Sequence, residues 1–333
     1  PIVPNLLWLQ SGGCGGCSMS LLNAESPDLM TLLDAAGIEL LWHPSLSEQT
    51  GSEVIALLEA IIKGEQTLDL LCIEGSMMMG PQGTGRFHML GGTGKPMIHW
   101  VRELAEKAKY TLAVGSCAAY GGITAAGSNH TDATGLQYDG ELPGGLLGES
   151  YRSSEHFKVI NIAGCPTHPD WVTETLISIA LGEHGESNLD SLGRPRMYAD
   201  QLVHHGCSRN EYYEYKASAT APGERGCMME NMGCLGTQAH ADCNIRDWNG
   251  HGSCTSGGYA CINCTAPEFE EPGHSFTKTP KIAGIPVGLP TDMPKAWFVA
   301  LASLSKAATP ERLKENATSE QLIYPPTIHK RKG

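Results

Sequence analysis

Cysteine is the residue whose placement carries chemistry in this chain. Twelve are present, several paired or beside glycine. Cys14 and Cys17 form Cys-Gly-Gly-Cys, Cys117 follows Gly115-Ser116, and Cys165 stands in Gly164-Cys165-Pro166. A second series runs Cys207, Cys227, Cys234, Cys243, Cys254, Cys261 and Cys264, with His204 and His205 just ahead of it. Thiolate is a soft metal ligand as well as a nucleophile. Glycine beside it permits tight turns and close approach of the backbone to a bulky group. Cysteines at this density serve disulfides, tetrahedral zinc or Fe–S clusters, and Cys-x-x-Cys pairs point to metal or redox sites. Cys72, between Leu71 and Ile73, reads instead as a small buried hydrophobe within a strand. The other eleven cysteines and one histidine make twelve ligands, three sets of four. That arithmetic suits three zinc ions as well as three clusters. Either His204 or His205 can complete it. His168, close to Cys165, is a weaker candidate, and His43, His99, His130, His240 and His251 read as structural or surface residues.

The elements that must position these residues alternate along 5–182. Apolar runs at 5–9, 38–42, 68–73, 110–114 and 158–162 predict strands. Helical patterns are expected at 20–36, 52–63, 96–108 and 170–181. Near-continuous apolar strands alternating with helices define a parallel sheet covered on both faces. The expected fold is therefore α/β, a flavodoxin-like doubly wound domain over 1–184. On that reading Cys14, Cys17, Cys117 and Cys165 all follow the carboxyl ends of strands, where open α/β sheets place their ligands. Four thiolates there suit a tetrahedral metal or an Fe–S cubane, whose sulfides can take hydrogen bonds from turn N–H groups. Glu74 ends the third strand at the same edge, in a proton-relay or a hydrogen-bonding role. From about Gly185 the pattern breaks, and seven cysteines crowd between Cys207 and Cys264. Residues 185–333 are expected to be an irregular, cysteine-rich domain that needs cross-links or metal to fold, with one helix over 290–307 and a tail.

The net charge of −13 argues against nucleic acid or an anionic membrane as partner. No stretch approaches the about 20 apolar residues of a spanning helix. The basic tail His329-Lys330-Arg331-Lys332 reads as a solvated terminus; a leader removed ahead of Pro1 is left open. Gly91-Gly92-Thr93-Gly94-Lys95 is no phosphate loop, because Met89 stands where glycine is required and Pro96 follows the lysine. Met77-Met78-Met79 reads as packing.

Taken in order, Trp8-Leu9-Gln10 before Cys14-Gly15-Gly16-Cys17-Ser18, Glu74-Gly75-Ser76, Gly115-Ser116-Cys117-Ala118 and Gly164-Cys165-Pro166 resemble the small subunit of [NiFe]-hydrogenases. His204-x-x-Cys207-x-Arg209, Gly233-Cys234-x-Gly236, Asp242-Cys243, Trp248-Asn249 and Cys261-x-x-Cys264 extend the resemblance over nearly the whole chain. The variant looks most like the soluble uptake branch of actinobacteria, which includes high-affinity enzymes that oxidise atmospheric hydrogen.

The resemblance implies three Fe–S clusters. Cys14, Cys17, Cys117 and Cys165 would hold the proximal one, Cys243, Cys254, Cys261 and Cys264 the medial one, and His204, Cys207, Cys227 and Cys234 the distal one. Many relatives have proline at the position of Cys254; cysteine here implies [4Fe-4S], although a cubane can lose one iron to give [3Fe-4S]. Oxygen-tolerant relatives carry two further cysteines where this chain has Gly16 and Gly122, so their six-cysteine cluster is not expected. The implied function is the electron-transferring half of a hydrogen-oxidising enzyme. The catalytic NiFe(CN)2CO centre would lie in a large-subunit partner and a quinone-linked protein would act as acceptor, with no catalytic residue in this chain beyond a role for Glu74. A dimer of heterodimers or larger and a cytoplasmic location, with any membrane association made through a partner, complete the expectation. A zinc-stabilised binding module and an autonomous ferredoxin-like carrier are the alternatives.

Overall fold

A computed structural model describes residues 4–290 and 294–324; the basic tail at 329–332 lies outside them. The chain divides into two compact units, Pro1–Asp200 with Cys264–Glu271, and Gln201–Asn263 with Pro272–Gly333.

In the first unit, β1 (Asn5–Gln10), β2 (Glu39–Trp42), β3 (Leu70–Glu74), β4 (Tyr110–Val114) and β5 (Ile160–Ile162) form one parallel sheet of order β2-β1-β3-β4-β5. This is the flavodoxin-like order, whose direction of winding reverses between β1 and β3 and opens a crevice there. β3 is buried at every position, as a strand covered on both faces must be. Leu7, Leu9, Leu71, Ile73 and Ala113 share one core with α3 (Ser52–Lys63) and α4 (Met97–Ala105). The alternate residues face the other way, where α1 (Gly16–Leu22) and α2 (Leu29–Ala35) pack with α6 (Pro169–Ala180). The short α5 (Ser116–Tyr120) follows β4 directly. A final turn, α7 (Arg196–Ala199), stacks Tyr198 on Trp171 at 4.1 Å between ring centroids.

The register positions the site. Gln10 pairs with Glu74, Glu74 with Val114, and Val114 with Ile162, so four strands end in one row. The loops that follow them all start from the same edge. The single helix expected over 20–36 is instead two, α1 and α2. Pro27 interrupts the run, having no N–H to donate, and Asp28 then caps α2 by accepting from Thr31 N at 3.0 Å.

The second unit has little regular structure. Besides α8 (Asn210–Glu214), it contains a two-residue hairpin joining Lys281–Ile282 to Ile285–Pro286, then α9 (Lys295–Ala308) and α10 (Glu311–Ala317). The helix expected over 290–307 is α9, with 291–293 outside the described residues. α10 has no counterpart in the sequence reading. The unit's apolar contacts form small separate clusters, Tyr213 with Met229 and Phe298, Ala217 with Leu313 and Ala317, and Ala219 with Met228 and Met232. Cores this small leave much of the loop structure to be fixed by other means. No helix among the described residues is long and apolar enough to cross a membrane.

Candidate metal centres

None of the twelve cysteines is paired in a disulfide. The first-unit thiols of Cys14, Cys17, Cys117 and Cys165 lie in one another's field. Burial pushes the Cys17 thiol well up, and Glu74, Cys117 and Cys165 add to it. Cys165 is pushed up to about 12 by burial, then by Cys117, Cys264 and Cys14. Cys117 is raised by burial and by Cys14. Burial and mutual repulsion disfavour the thiolate forms of Cys17, Cys117 and Cys165, and a bound cation or cluster would offset that charge. Backbone donors already point at them: Gly16 N to Cys14 Sγ at 3.4 Å, Thr167 N to Cys17, and Ile123 and Thr124 N to Cys117.

Glycines bring the backbone close against these sulfurs. A Cβ on Gly115, whose φ is 88°, would run into Cys17 Sγ. One on Gly122 would lie 3.0 Å from Cys117 Sγ. The Thr167 hydroxyl, fully buried, has no protein partner among the described residues, and a cluster sulfide is an acceptor it can use. Among the described residues no three His, Cys, Asp or Glu side chains close to single-ion spacing.

Glu74, 3 % exposed, holds this loop in place. Its Oε1 accepts from Cys17 N (2.9 Å) and Ser18 N (3.0 Å), the first turn of α1. Its Oε2 accepts from Trp8 Nε1 (3.2 Å), Gln10 Nε2 (3.1 Å) and Ser18 Oγ (2.5 Å). Of the two roles left open by the sequence, hydrogen bonding is the one these contacts describe. Trp8 and Gln10, part of the recognisable motif, thus have a physical task that sequence alone did not reveal. His168 caps α6, its Nδ1 accepting from Asp170 N at 3.2 Å. His43 Nδ1 accepts from Ser45 N at 3.0 Å.

In the second unit, His204, Cys207, Cys227 and Cys234 line one cavity with Arg209, Tyr213 and Thr255. Arg209 N donates to Cys207 Sγ (3.4 Å), Cys261 N to Cys234 Sγ (3.4 Å), and Met229 N to Cys227. The His204 ring meets Tyr213 edge-on at 4.2 Å, whereas His205 is exposed and does not line the cavity. The Arg209 guanidinium lies in the field of Cys207, Cys227 and Cys234; its charge opposes theirs, a role the motif contained but did not state. Of the remaining set, Cys243, Cys254 and Cys261 belong to the second unit, where Asn263 N donates to Cys261 Sγ at 3.4 Å. Cys264 packs with the first unit, where Ser116 Oγ donates to its carbonyl.

Cys72 differs from all of these. It is fully buried in β3, and burial alone raises its pKa, with no backbone donor on its sulfur. Cys72→Ala is expected to leave iron and sulfide content of the purified complex intact and to cost roughly 1–2 kcal/mol in thermal or denaturant unfolding. Loss of iron would show the ligand count to be wrong. Lys95, the last residue of the false phosphate loop, pairs with Glu103 at 2.6 Å and lies over the Trp100 ring at 4.4 Å.

A flavodoxin-like domain with convergent thiols at its carboxyl edge, joined to a cysteine-rich unit with a His–Cys cavity, is the class of protein built to hold Fe–S clusters for electron transfer. Residues 14–179 match the family of the 20 Kd subunit of NADH ubiquinone oxidoreductase. Residues 199–277 match the family of the C-terminal region of NiFe/NiFeSe hydrogenase small subunits. The F420 non-reducing hydrogenase II small subunit of Methanosarcina mazei is 37 % identical over 292 residues, covering 80 % of this chain and 73 % of that one. The periplasmic [NiFeSe] hydrogenase small subunit of Desulfomicrobium baculatum is 31 % identical, covering 80 % and 84 %. Among solved structures, the actinobacterial-type NiFe-hydrogenase from Ralstonia eutropha H16 matches with a TM-score of 0.76 at 26 % identity, covering 99 % of this chain and 95 % of its own. The chain belongs to the [NiFe]-hydrogenase small-subunit family. Members of this family carry Fe–S clusters, transfer electrons, and pair with a large subunit that holds the catalytic centre.

Proposed function

We propose that this chain carries electrons from hydrogen oxidation through three cluster sites: Cys14, Cys17, Cys117 and Cys165 proximal; Cys243, Cys254, Cys261 and Cys264 medial; His204, Cys207, Cys227 and Cys234 distal. Clusters bound there supply one-electron transfer, and four protein ligands at each site favour [4Fe-4S]. The observation that carries the reading is the set of four mutually interacting thiols at one sheet edge, each of three receiving backbone N–H groups. Those N–H groups and Thr167 hold negative charge on sulfur at low reorganisation cost. At the distal site neutral His204 removes one thiolate charge, which raises the potential relative to four cysteines. Exposed Met19, Leu22 and Ile123, at 65 %, 46 % and 52 %, flank Cys17 and Cys117 in sequence and support an apolar docking face for the large subunit. The sites at 1–184 and 185–333 divide into a proximal domain and a domain for the other two. A quinone-linked acceptor, a dimer of heterodimers or larger, and a cytoplasmic setting belong to the same reading.

Co-purification tests it. The chain is expected to travel with a nickel-bearing large subunit, as a brown complex with about twelve iron and twelve sulfide from these sets. A colourless chain with about three zinc would overturn the proposal. His204→Ala is expected to alter the distal electron paramagnetic resonance signal and slow acceptor reduction about tenfold or more, since even losing a partner of a metal ligand typically costs about 10–100-fold. The same effect from His205→Ala would move the ligand by one position.

A further inference from the structure

The second unit has another cavity, on the outer side of Arg209. The side chains of Arg209, Arg225, Tyr212 and Tyr259 line it, with Gly257 and Gly258. Arg209 is fixed by its own backbone contacts: Nε donates to Thr255 O at 3.0 Å, and Nη1 to Glu224 O at 2.7 Å and Gly226 O at 2.8 Å. Nη2 donates to no protein group among the described residues, and it lies 3.9 Å from where a Cβ on Gly258 would sit. The Arg225 side chain has no hydrogen bond or ion pair among the described residues. No carboxylate lines the cavity. The nearby Glu224 is turned back on its own loop, accepting from Thr220 N at 2.5 Å and Ala221 N at 3.1 Å. The Arg225 guanidinium, with no carboxylate partner among the described residues, and the Nη2 edge of Arg209 offer donors to a phosphate monoester, which carries about −1.5 to −2 at neutral pH. Tyr259, 75 % exposed, presents a π face to a flat ring.

We propose that this cavity binds a planar aromatic electron acceptor bearing a phosphate monoester, with the phosphate on Arg225 and Arg209 and the ring on Tyr259. The acceptor role rests on His204, Cys207, Cys227 and Cys234 forming the exit site, since Arg209 N also donates to Cys207 Sγ. The reaction balances: hydrogen oxidised on the large subunit gives two electrons and two protons, and the acceptor ring takes up two of each to become the dihydro form.

Flavin mononucleotide is the probe, added to the intact complex with its large subunit under nitrogen and followed by fluorescence quenching. Saturable binding is expected, competed by inorganic phosphate, with riboflavin, the same ring without phosphate, about tenfold weaker or more. Arg225→Ala should weaken the flavin nucleotide about tenfold and leave riboflavin where it was, and Arg225→Lys should recover part of the loss. Under hydrogen, the ratio of flavin nucleotide to viologen reduction should fall by the same factor in Arg225→Ala. Equal binding of the two flavins, or unchanged nucleotide binding in Arg225→Ala, overturns the site. Retention of an acidic protein without any flavin binding overturns it in favour of a protein partner. Flavin bound but not reduced overturns the acceptor role, while iron content and cluster spectra report separately on the ligand assignment.

Discussion

Replacing Cys17 by alanine is expected to abolish hydrogen-driven dye reduction by the assembled complex and to remove about a third of its iron and sulfide, one set of three. Cys17 is held from both its backbone and its sulfur. Its N–H is bound by Glu74 at 2.9 Å, and its sulfur receives the Thr167 N–H and lies against Gly115, where even a methyl group would collide. Alanine leaves the Thr167 N–H facing a void and would leave Cys14, Cys117 and Cys165 one ligand short. Serine is no substitute, because a hydroxyl stays protonated where a thiolate is needed. The loss should be selective: signals from the second-unit sites should persist in dithionite-reduced protein, because their donors His204, Cys207, Cys227 and Cys234 line a separate cavity. Full iron content with normal dye reduction in Cys17→Ala would remove these four residues from the electron path. Cys72→Ala is the matched control, a thiol of the same sheet with no N–H donors on it.

Which features were legible in the sequence follows from their physics. The parallel sheet was readable because buried strands must be apolar throughout, and Leu70–Glu74 and Tyr110–Val114 fall in the expected runs. α3 ends on Gly64 in the left-handed region, as its sequence indicates. The break between α1 and α2 is hidden by a leucine periodicity that continues through Pro27. The thiols at the sheet edge were readable because strand ends define where loops begin. Their N–H donors were not, since Thr167, Ile123 and Thr124 act through backbone groups that every residue but proline possesses. In the second unit, spacing counted the ligands without grouping them; only the cavity separates His204 from His205. α10 is invisible in the sequence because Glu311-Arg312-Leu313-Lys314 shows one apolar residue per turn, too weak a period to mark a helix.

Glu74→Ala is expected to destabilise the complex by about 3–5 kcal/mol, the scale for removing one partner from a buried charged network, and to lower proximal iron occupancy with it. Five hydrogen bonds converge on this carboxylate, and all their donors are buried or half-buried. Two of the donors are the N–H groups of Cys17 and Ser18, at the positive end of α1, where a carboxylate is additionally favoured. Glutamine tests the charge separately from the shape. Its amide oxygen can still serve Cys17 and Ser18, but its NH2 then faces Trp8 Nε1 and Gln10 Nε2, donors against donors. Glu74→Gln should therefore lose part of the stability and part of the iron, between wild type and alanine. If Glu74 were instead a proton relay, Glu74→Gln would keep full iron and melting temperature but show a shifted pH–rate profile and a larger solvent isotope effect. A carboxylate that holds fixed donors on both oxygens has little room to carry a proton, so the graded loss in Glu74→Gln is the result that separates positioning from relay.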